Sequence, residues 1–311
     1  MAALLCLSSA AWAQQGSKQT AEYTYDINGR RVELATAATQ MRGPGASATL
    51  DSVMTLNGRM APRESVEERV LRDDPAGRVV ERLVKRYDAS GNPGQAERVR
   101  IEETRHPDGA ARSTTTVSRS DVNGSFQVAE RSVSESRQEG DSVTVSTTVE
   151  RPTLNGSLES VERRQEVTRK TGAGSQAEVS TWRKDENGKF YEALRLVSRT
   201  VEKDGQTISN LDQYESRNSK LELSGRTLTR TRKLADGSLV SNLDIYRVEA
   251  PGQAAEQGKP RLLEQQTIER KPGKDDSTVE TVSVRRSSPN APGRPGAPQK
   301  IAERVCKGDC K

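Results

Sequence analysis

The chain has 311 residues, and 30% of them are charged, yet 49 Lys and Arg against 44 Asp and Glu leave a net charge of only +5. One histidine, three cysteines and ten aromatic residues argue against a histidine-based metal site, a Ser-His-Asp relay and a nucleic-acid surface built on stacking. The sequence has no phosphate-cradling glycine loop and no GxSxG or HExxH motif. We therefore expect a protein that is not an enzyme, uses no cofactor and binds no nucleic acid.

The N-terminal residues predict export. Residues 4–7 form a short apolar core, and Ala11-Trp12-Ala13 is a small-x-small cleavage site before Gln14. Residues 1–13 are therefore predicted to be a signal peptide, and the mature chain is expected in the periplasm or at the cell surface. No later apolar run reaches the length of a membrane-spanning helix, so we expect no transmembrane segment in the mature chain.

Two cysteines remain after the predicted cleavage, Cys306 and Cys310, in the sequence VCKGDCK. An even number of cysteines in an exported protein favours a disulfide, and a Gly308-Asp309 turn would bring the two sulfurs together. The alternative, a metal or redox role, would need further ligands that the sequence does not supply.

A repeat of 32 residues organises the chain. Glycines at 109, 140, 172, 205 and 237 recur at this interval to within one residue, and Asn-Gly pairs end at Gly124, Gly156 and Gly188, half a period away. The hexapeptide SNLDQY at 209–214 is echoed by SNLDIY at 241–246. Arg119, Arg151, Arg183 and Arg247 share one column of the repeat, interrupted by Glu215. Such a column indicates either a polyanion-binding surface or, as we favour, ladders of cross-strand ion pairs.

Each repeat is predicted to be a β-hairpin. Asn-Gly and Asp-Gly suit tight hairpin turns, and the segments between them are rich in Val, Thr and Ser and nearly free of proline. Many segments, such as 126–137 and 158–170, present no apolar face. The predicted fold is all-β, an extended antiparallel meander of hairpin repeats that is largely single-layered and open. The alternative is a closed β-barrel, although ten aromatics and a mean hydropathy of −0.82 supply no lipid-facing band. A mostly disordered chain is the third possibility.

Composition divides the chain into segments. We expect a lead-in and first hairpin over 14–46, the repeat meander over 47–250, a linker and last hairpin over 251–286, and a Pro/Gly-rich linker with the cysteine tail over 287–311.

Two short segments carry a resemblance. TYDINGR within residues 23–30, and YDASGN at 87–92, are similar to the core of the YD repeat of Rhs-type cell-surface and toxin-shell proteins. The resemblance covers some 14 of 311 residues. It implies an exported hairpin-repeat shell and nothing narrower.

The aromatic residues are concentrated in one part of the chain. Trp182, Tyr191, Tyr214 and Tyr246 fall within two periods of the repeat and would form a strip on which sugar rings stack. The alternative is that they pack a local core.

The predicted function is that of an exported, non-enzymatic β-repeat scaffold or interaction protein. Its partners would be another protein bound through sheet edges or an envelope polysaccharide. The alternative is a carbohydrate- or envelope-polymer-binding module that uses the aromatic strip around Trp182.

Overall fold

The structure, a computed structural model, describes residues 18–26, 29–55, 58–88, 90–106, 108–217, 220–248, 260–274, 276–288 and 291–308. The predicted signal peptide lies outside these residues. The strands are β1 (Lys18–Tyr25), β2 (Arg31–Gly43), β3 (Ala46–Met54), β4 (Met60–Asp74), β5 (Gly77–Tyr87), β6 (Pro93–Arg105), β7 (Ala111–Ser120), β8 (Phe126–Glu139), β9 (Ser142–Pro152), β10 (Leu158–Thr171), β11 (Gly174–Lys184), β12 (Phe190–Lys203), β13 (Gln206–Arg217), β14 (Lys220–Lys233), β15 (Leu239–Arg247), β16 (Arg261–Pro272), β17 (Ser277–Ser288), β18 (Ala291–Pro295) and β19 (Gln299–Lys307).

The strands form a closed antiparallel barrel. From β1 to β17 each strand pairs with the next, and β19 pairs with both β17 and β1. Eighteen strands therefore build the wall, while β18 is a short strand that pairs beside the end of β17. The seam between β1 and β19 consists of six directly paired positions, from Gln19–Lys307 to Thr24–Ala302.

Closure corrects the prediction of an open meander. The all-β antiparallel meander and the alternative of a closed barrel are confirmed, but the open sheet is wrong. The barrel closes because the first and last strands pair with each other, and this long-range pairing cannot be predicted from local sequence. The described wall strands leave no long edge for a partner strand, so a scaffold acting through sheet edges is also wrong.

The two glycine series lie at opposite ends of the barrel. We call the upper rim the end at which the odd-numbered strands from β1 to β17 finish, and the lower rim the other end. Gly124, Gly156 and Gly188 occupy upper turns and have positive φ, whereas Gly205 and Gly237 occupy lower ones. The predicted turn positions therefore match the observed turns.

A β-bulge recurs with the repeat. Three residues at intervals of 32 have no paired residue in the preceding strand and are therefore the extra residues of β-bulges: Ala129, Val161 and Ala193. Ser224 and Leu263 are the extra residues of the bulges in β14 and β16. Each of these bulges lies a few residues below the upper rim in an even-numbered strand. We call these strands descending, because they run from the upper rim to the lower rim. Bulges at barrel rims bend the strand and increase its twist.

The strands are tilted, and the lumen is open. Directly paired residues from Lys18 to Arg119 climb from the lower rim to the upper rim within seven strands. Eighteen strands at about 4.8 Å spacing and roughly 40° tilt enclose a backbone cylinder about 36 Å across. Only seven apolar side chains of the described residues are buried.

Candidate functional site

The wall has two chemically different faces. They can be traced around the barrel because directly paired residues of neighbouring strands lie on the same face. One face contains the succession Lys18, Thr39, Thr49, Val66, Val84, Glu97 and Arg119, in which each residue pairs with the next. The other contains the succession Arg98, Ser118 and Val128 and the succession Arg199, Asn210 and Leu228.

Side-chain exposure shows which face lines the lumen. On β6 the residues of the Glu97 face are half-buried, while Arg98, Arg100, Glu102 and Thr104 on the other face are exposed. On β10, Glu162, Arg164, Glu166 and Thr168 are half-buried, while Arg163, Gln165 and Arg169 are exposed. Side chains converge on the concave side of a barrel and spread apart on the convex side. We therefore call the face of Val66, Glu97 and Glu162 the inner face, and that of Arg98 and Arg163 the outer face.

The chirality of the chain gives the same assignment. The right-handed twist of natural strands fixes the direction in which the strands tilt. Because the directly paired residues climb from Lys18 to Arg119, this tilt also fixes the direction in which consecutive strands follow one another around the barrel. With L-amino acids, the residues of descending strands whose N–H groups bond the preceding strand then face inward. Lys170 and Glu202 are such residues: their N–H groups donate to Asp141 O at 2.9 Å and to Ala173 O at 3.0 Å. Both lie on the inner face.

The inner face carries an apolar belt at mid-height. Directly opposed apolar pairs recur around it: Val66 with Val84, Val99 with Val117, Val179 with Leu196, and Ile268 with Val282. Serine and threonine fill many of the intervening positions, and ion pairs such as Arg164–Glu166 at 3.3 Å and Arg82–Glu68 at 2.5 Å interrupt the belt. The lumen wall can therefore contact apolar groups while it remains wetted.

Above the belt, carboxylates and guanidinium groups alternate along the inner face. Arg119 Nε donates to Glu97 Oε1 at 2.9 Å, and Arg86 Nη2 lies 3.1 Å from Glu97 Oε2. The hydrogen bond from Arg119 leads the contacts that lower the pKa of Glu97. The repeat adds Arg151–Glu130 and Arg183–Glu162, both at 3.0 Å, and Arg286–Glu264 at 3.1 Å. Three of the four arginines in the repeat column, Arg119, Arg151 and Arg183, thus form the expected cross-strand ion pairs below the upper rim, whereas Arg247 forms none with the residues that the structure describes.

The outer face is charged at mid-height. Arg226 Nε donates to Asp212 Oδ1 at 2.5 Å, and Arg230 Nη1 donates to Asp244 Oδ2 at 3.0 Å. Arg131 Nε donates to Glu150 at 2.6 Å. The repeated aspartates of the two hexapeptides are therefore structural partners of arginine. Guanidinium groups at this height would cost roughly 2–4 kcal/mol each in contact with the middle of a bilayer.

Three of the four predicted aromatic site residues share the outer face. Trp182, Tyr214 and Tyr246 lie in β11, β13 and β15, so that each is separated from the next by two strands, about 9.6 Å across the sheet, and by two residues along it. Arg195 pairs directly with Tyr214, and Arg226 with Tyr246, so arginines lie between the rings. Hydrogen bonding to Glu192 raises the pKa of Arg195. Tyr191 pairs with Arg183 on the inner face and is separated from the other three by the wall. Sugar binding by these residues stays a prediction.

The inner face also contains a groove that was not predicted from the sequence. A cavity of about 220 Å³ opens above Gly225 in β14, where the absent side chain leaves a gap between Gln213 and Arg247. Its apolar residues include Leu211, Ile245 and Leu263, and Arg217 lies at its upper end. The available signal was a glycine within a predicted strand, which often marks a bulge or a close approach.

Other predicted residues have simpler surroundings. Cys306 is buried and takes part in a disulfide, but Cys310 lies outside the described residues, so their pairing stays a prediction. His106 begins a lower turn, where its N–H donates to Ala110 O at 2.8 Å. Among the residues that the structure describes, no group of His, Cys, Asp and Glu could hold a metal ion. No helix in this part of the chain is long and apolar enough to cross a membrane.

Comparison with known proteins supports the fold. No family model matches the chain, and no curated protein matches it. The crystal structure of OccK3 (OpdO) from Pseudomonas aeruginosa is similar, with a TM-score of 0.51 and 8% identity over 94% of this chain and 93% of that one. A second OpdO structure gives a TM-score of 0.48 at 8% identity and 94% coverage of each chain. At this identity, the likeness to OccK3 concerns the barrel fold alone.

Proposed function

We propose that this protein is an exported, non-enzymatic barrel of the cell envelope that remains in water and holds an amphiphilic molecule inside its lumen. The distribution of side chains between the two faces carries the proposal. At mid-height the outer face carries Arg131, Arg226 and Arg230, whereas the inner face carries the directly opposed Val, Leu and Ile pairs of the apolar belt. A barrel embedded in lipid has the reverse arrangement, an apolar band outside and a polar interior.

The openness of the lumen supports the same proposal. The belt residues Val66, Val84, Val99 and Val117 are half-buried, so part of their apolar area remains available to a ligand. Each methylene removed from water contributes about 0.8 kcal/mol to binding. An acyl chain along the belt would therefore be bound through burial of its apolar surface. The small serine and threonine side chains between the apolar pairs would allow it to bind at more than one position.

A neutral dye that fluoresces in apolar surroundings, such as Nile red, tests this function. We expect saturable binding to the purified chain, and a several-fold weaker affinity for Leu196→Asn, which places an amide in the belt. Val197→Asn is the matched control, because Val197 is the next residue and lies on the outer face. Equal effects of the two substitutions, or no dye binding by the wild-type chain, would contradict the proposal.

A second candidate is a diffusion channel in the outer membrane. Strand number favours it, since membrane barrels of sixteen to eighteen strands enclose an aqueous pore. The charged residues at mid-height on the outer face argue against a channel, because they would contact the middle of the bilayer. Vesicle flotation and planar-bilayer conductance separate the two functions: a water-soluble carrier stays with the aqueous fraction and is silent, whereas a channel floats with lipid and conducts.

A further inference from the structure

We propose that the groove above Gly225 is the site at which a single-chain anionic amphiphile, such as a fatty carboxylate, places its headgroup. This inference rests on the proposed function and specifies where in the lumen the ligand is held and what charge it carries. The ligand's acyl chain would run down from the groove along the apolar belt.

The groove exists because β14 lacks a side chain where its neighbours carry long ones. Gly225 pairs with Gln213 of β13 and with Arg247 of β15 on the inner face. The adjacent bulge residue, Ser224, is buried and donates its hydroxyl hydrogen to Gln213 O at 3.2 Å. The bulge therefore fixes the backbone around the gap, and the cavity of about 220 Å³ is a built feature of this hairpin.

The walls of the groove are apolar below and cationic above. Leu211 and Leu263 are 36% and 51% exposed, large values for leucines on a concave surface, and Thr227 and Ile245 continue the groove toward the belt. Arg217 and Arg247 lie at the upper end. This polarity matches a molecule with an apolar tail below and an anionic group above.

The two arginines differ from four other guanidinium groups that lie on the inner face near the upper rim. Arg86, Arg119, Arg151 and Arg183 each form an ion pair with a glutamate of a neighbouring strand. Neither Arg217 nor Arg247 forms one within the residues that the structure describes. Glu215, the carboxylate of the groove, accepts a hydrogen bond from Gln213 Nε2 at 2.8 Å. The charge that would complete this site is therefore negative, and carboxylate suits the planar guanidinium fork.

Gly225 permits a clean test of the groove. A Cβ added there would meet Tyr246 O at 3.5 Å, an ordinary contact, and the backbone of Gly225 is not in the left-handed region. Gly225→Leu should therefore fill the groove without straining the barrel. Ser132→Leu adds the same side chain to the inner face of β8, far from the groove, and serves as its control.

The experiment is titration calorimetry of the full chain with dodecanoate and with dodecanol, which share a chain length and differ in charge. We expect the wild type to bind dodecanoate about tenfold more tightly. Gly225→Leu should lose dodecanoate binding at least tenfold, Ser132→Leu should not, and Arg217→Gln/Arg247→Gln should lose the preference for the anion while keeping dodecanol. Circular dichroism confirms that each variant folds.

The outcomes separate the two proposals. If the wild type binds neither amphiphile, the proposed function fails and the headgroup site fails with it. If the wild type binds both, but the groove and arginine variants behave as the wild type does, the headgroup site is wrong and the lumen function survives.

Discussion

Glu97 and Arg119 face each other across β6 and β7, and Arg119 Nε donates to Glu97 Oε1 at 2.9 Å. The glutamate side chain is 13% exposed and also contacts Arg86, whereas the side chain of Arg119 is 55% exposed. The carboxylate is thus enclosed by two cations that themselves reach water. Together, Arg86, Glu97 and Arg119 link the three neighbouring strands β5, β6 and β7 near the upper rim.

Replacing Glu97 should cost more stability than replacing the glutamate on the opposite face. We expect Glu97→Gln to lower the free energy of unfolding by about 1 kcal/mol, because it leaves two guanidinium groups facing an amide. Glu102 lies on the outer face of the same strand, and among the described residues its ion pair is with Arg100 alone, so Glu102→Gln should change the free energy of unfolding by less than about 0.5 kcal/mol. Urea unfolding followed by circular dichroism measures both. Equal losses would mean that enclosure of Glu97 contributes nothing.

Acid should weaken the barrel through the same carboxylates. Hydrogen bonds from Arg119 and Arg195, respectively, lead the contacts that lower the pKa values of Glu97 and Glu192. A carboxylate whose pKa is lowered by folding stabilises the folded state above its unfolded-state pKa of about 4.3, and this stabilisation disappears as the pH falls through the folded pKa. We expect the urea midpoint to fall below pH 4.5, and to fall less steeply in Glu97→Gln. A midpoint independent of pH would contradict this account.

Two turn glycines should respond differently to alanine. Gly205 has a φ of 70° beside Asp204 at 51°, which is the geometry of a type I′ turn. Gly205→Ala should therefore cost about 1 kcal/mol. Gly172 occupies a neighbouring lower turn without a left-handed backbone, and a Cβ there meets no atom within 4 Å. Gly172→Ala should be neutral or slightly stabilising, and thermal unfolding of the two variants compares them.

Closure can be tested at the seam. Thr24 of β1 and Ala302 of β19 are directly paired across it, although 278 positions separate them in sequence. Cysteines at both positions should form an intramolecular disulfide on mild oxidation, which peptide mapping would detect as a link between the two ends of the chain. The pair Thr24→Cys/Ser134→Cys, with Ser134 in β8 on the far side, should remain reduced. An open sheet would leave both pairs unlinked.

The outer aromatic row offers a separate test of glycan binding. If sugars stack on Trp182, Tyr214 and Tyr246, an envelope polysaccharide should shift the tryptophan fluorescence, and Trp182→Ala should abolish binding while the protein stays folded. Tyr191→Ala is the control, since Tyr191 lies on the inner face. Unchanged binding by Trp182→Ala would remove the row as a glycan site and leave these rings as local packing.

Most local features of the barrel could be predicted from the sequence. The Asn-Gly and Asp-Gly turns set the hairpins, because few residues accept positive φ. The prediction of cross-strand ion pairs is confirmed for Arg119, Arg151 and Arg183 and is wrong for Arg247 within the described residues; the pairs recur because a repeat of two strands returns the same residue to the same height. Each of these features depends on residues close in sequence or one repeat apart.

The two faces could not be predicted from alternation alone. In 126–137 and 158–170, a strict period of two mixes the faces, because the bulges at Ala129 and Val161 shift the phase of each strand. Before the bulge of β8 the inner residue is Gln127, and after it the inner residues are Glu130 and Ser132. The groove at Gly225 depends on three neighbouring strands, and closure depends on the sum of all the pairings. Neither can be found in a local window.

The coincidence of repeat, hairpin and bulge also limits how this protein can change size. A duplication or loss of one 32-residue unit adds or removes two strands, which keeps the strand number even and returns the chain to the same rim. The seam between β1 and β19 would then still close, and the circumference would change by about 12 Å per unit. The diameter of the lumen can therefore change only in discrete steps of two strands.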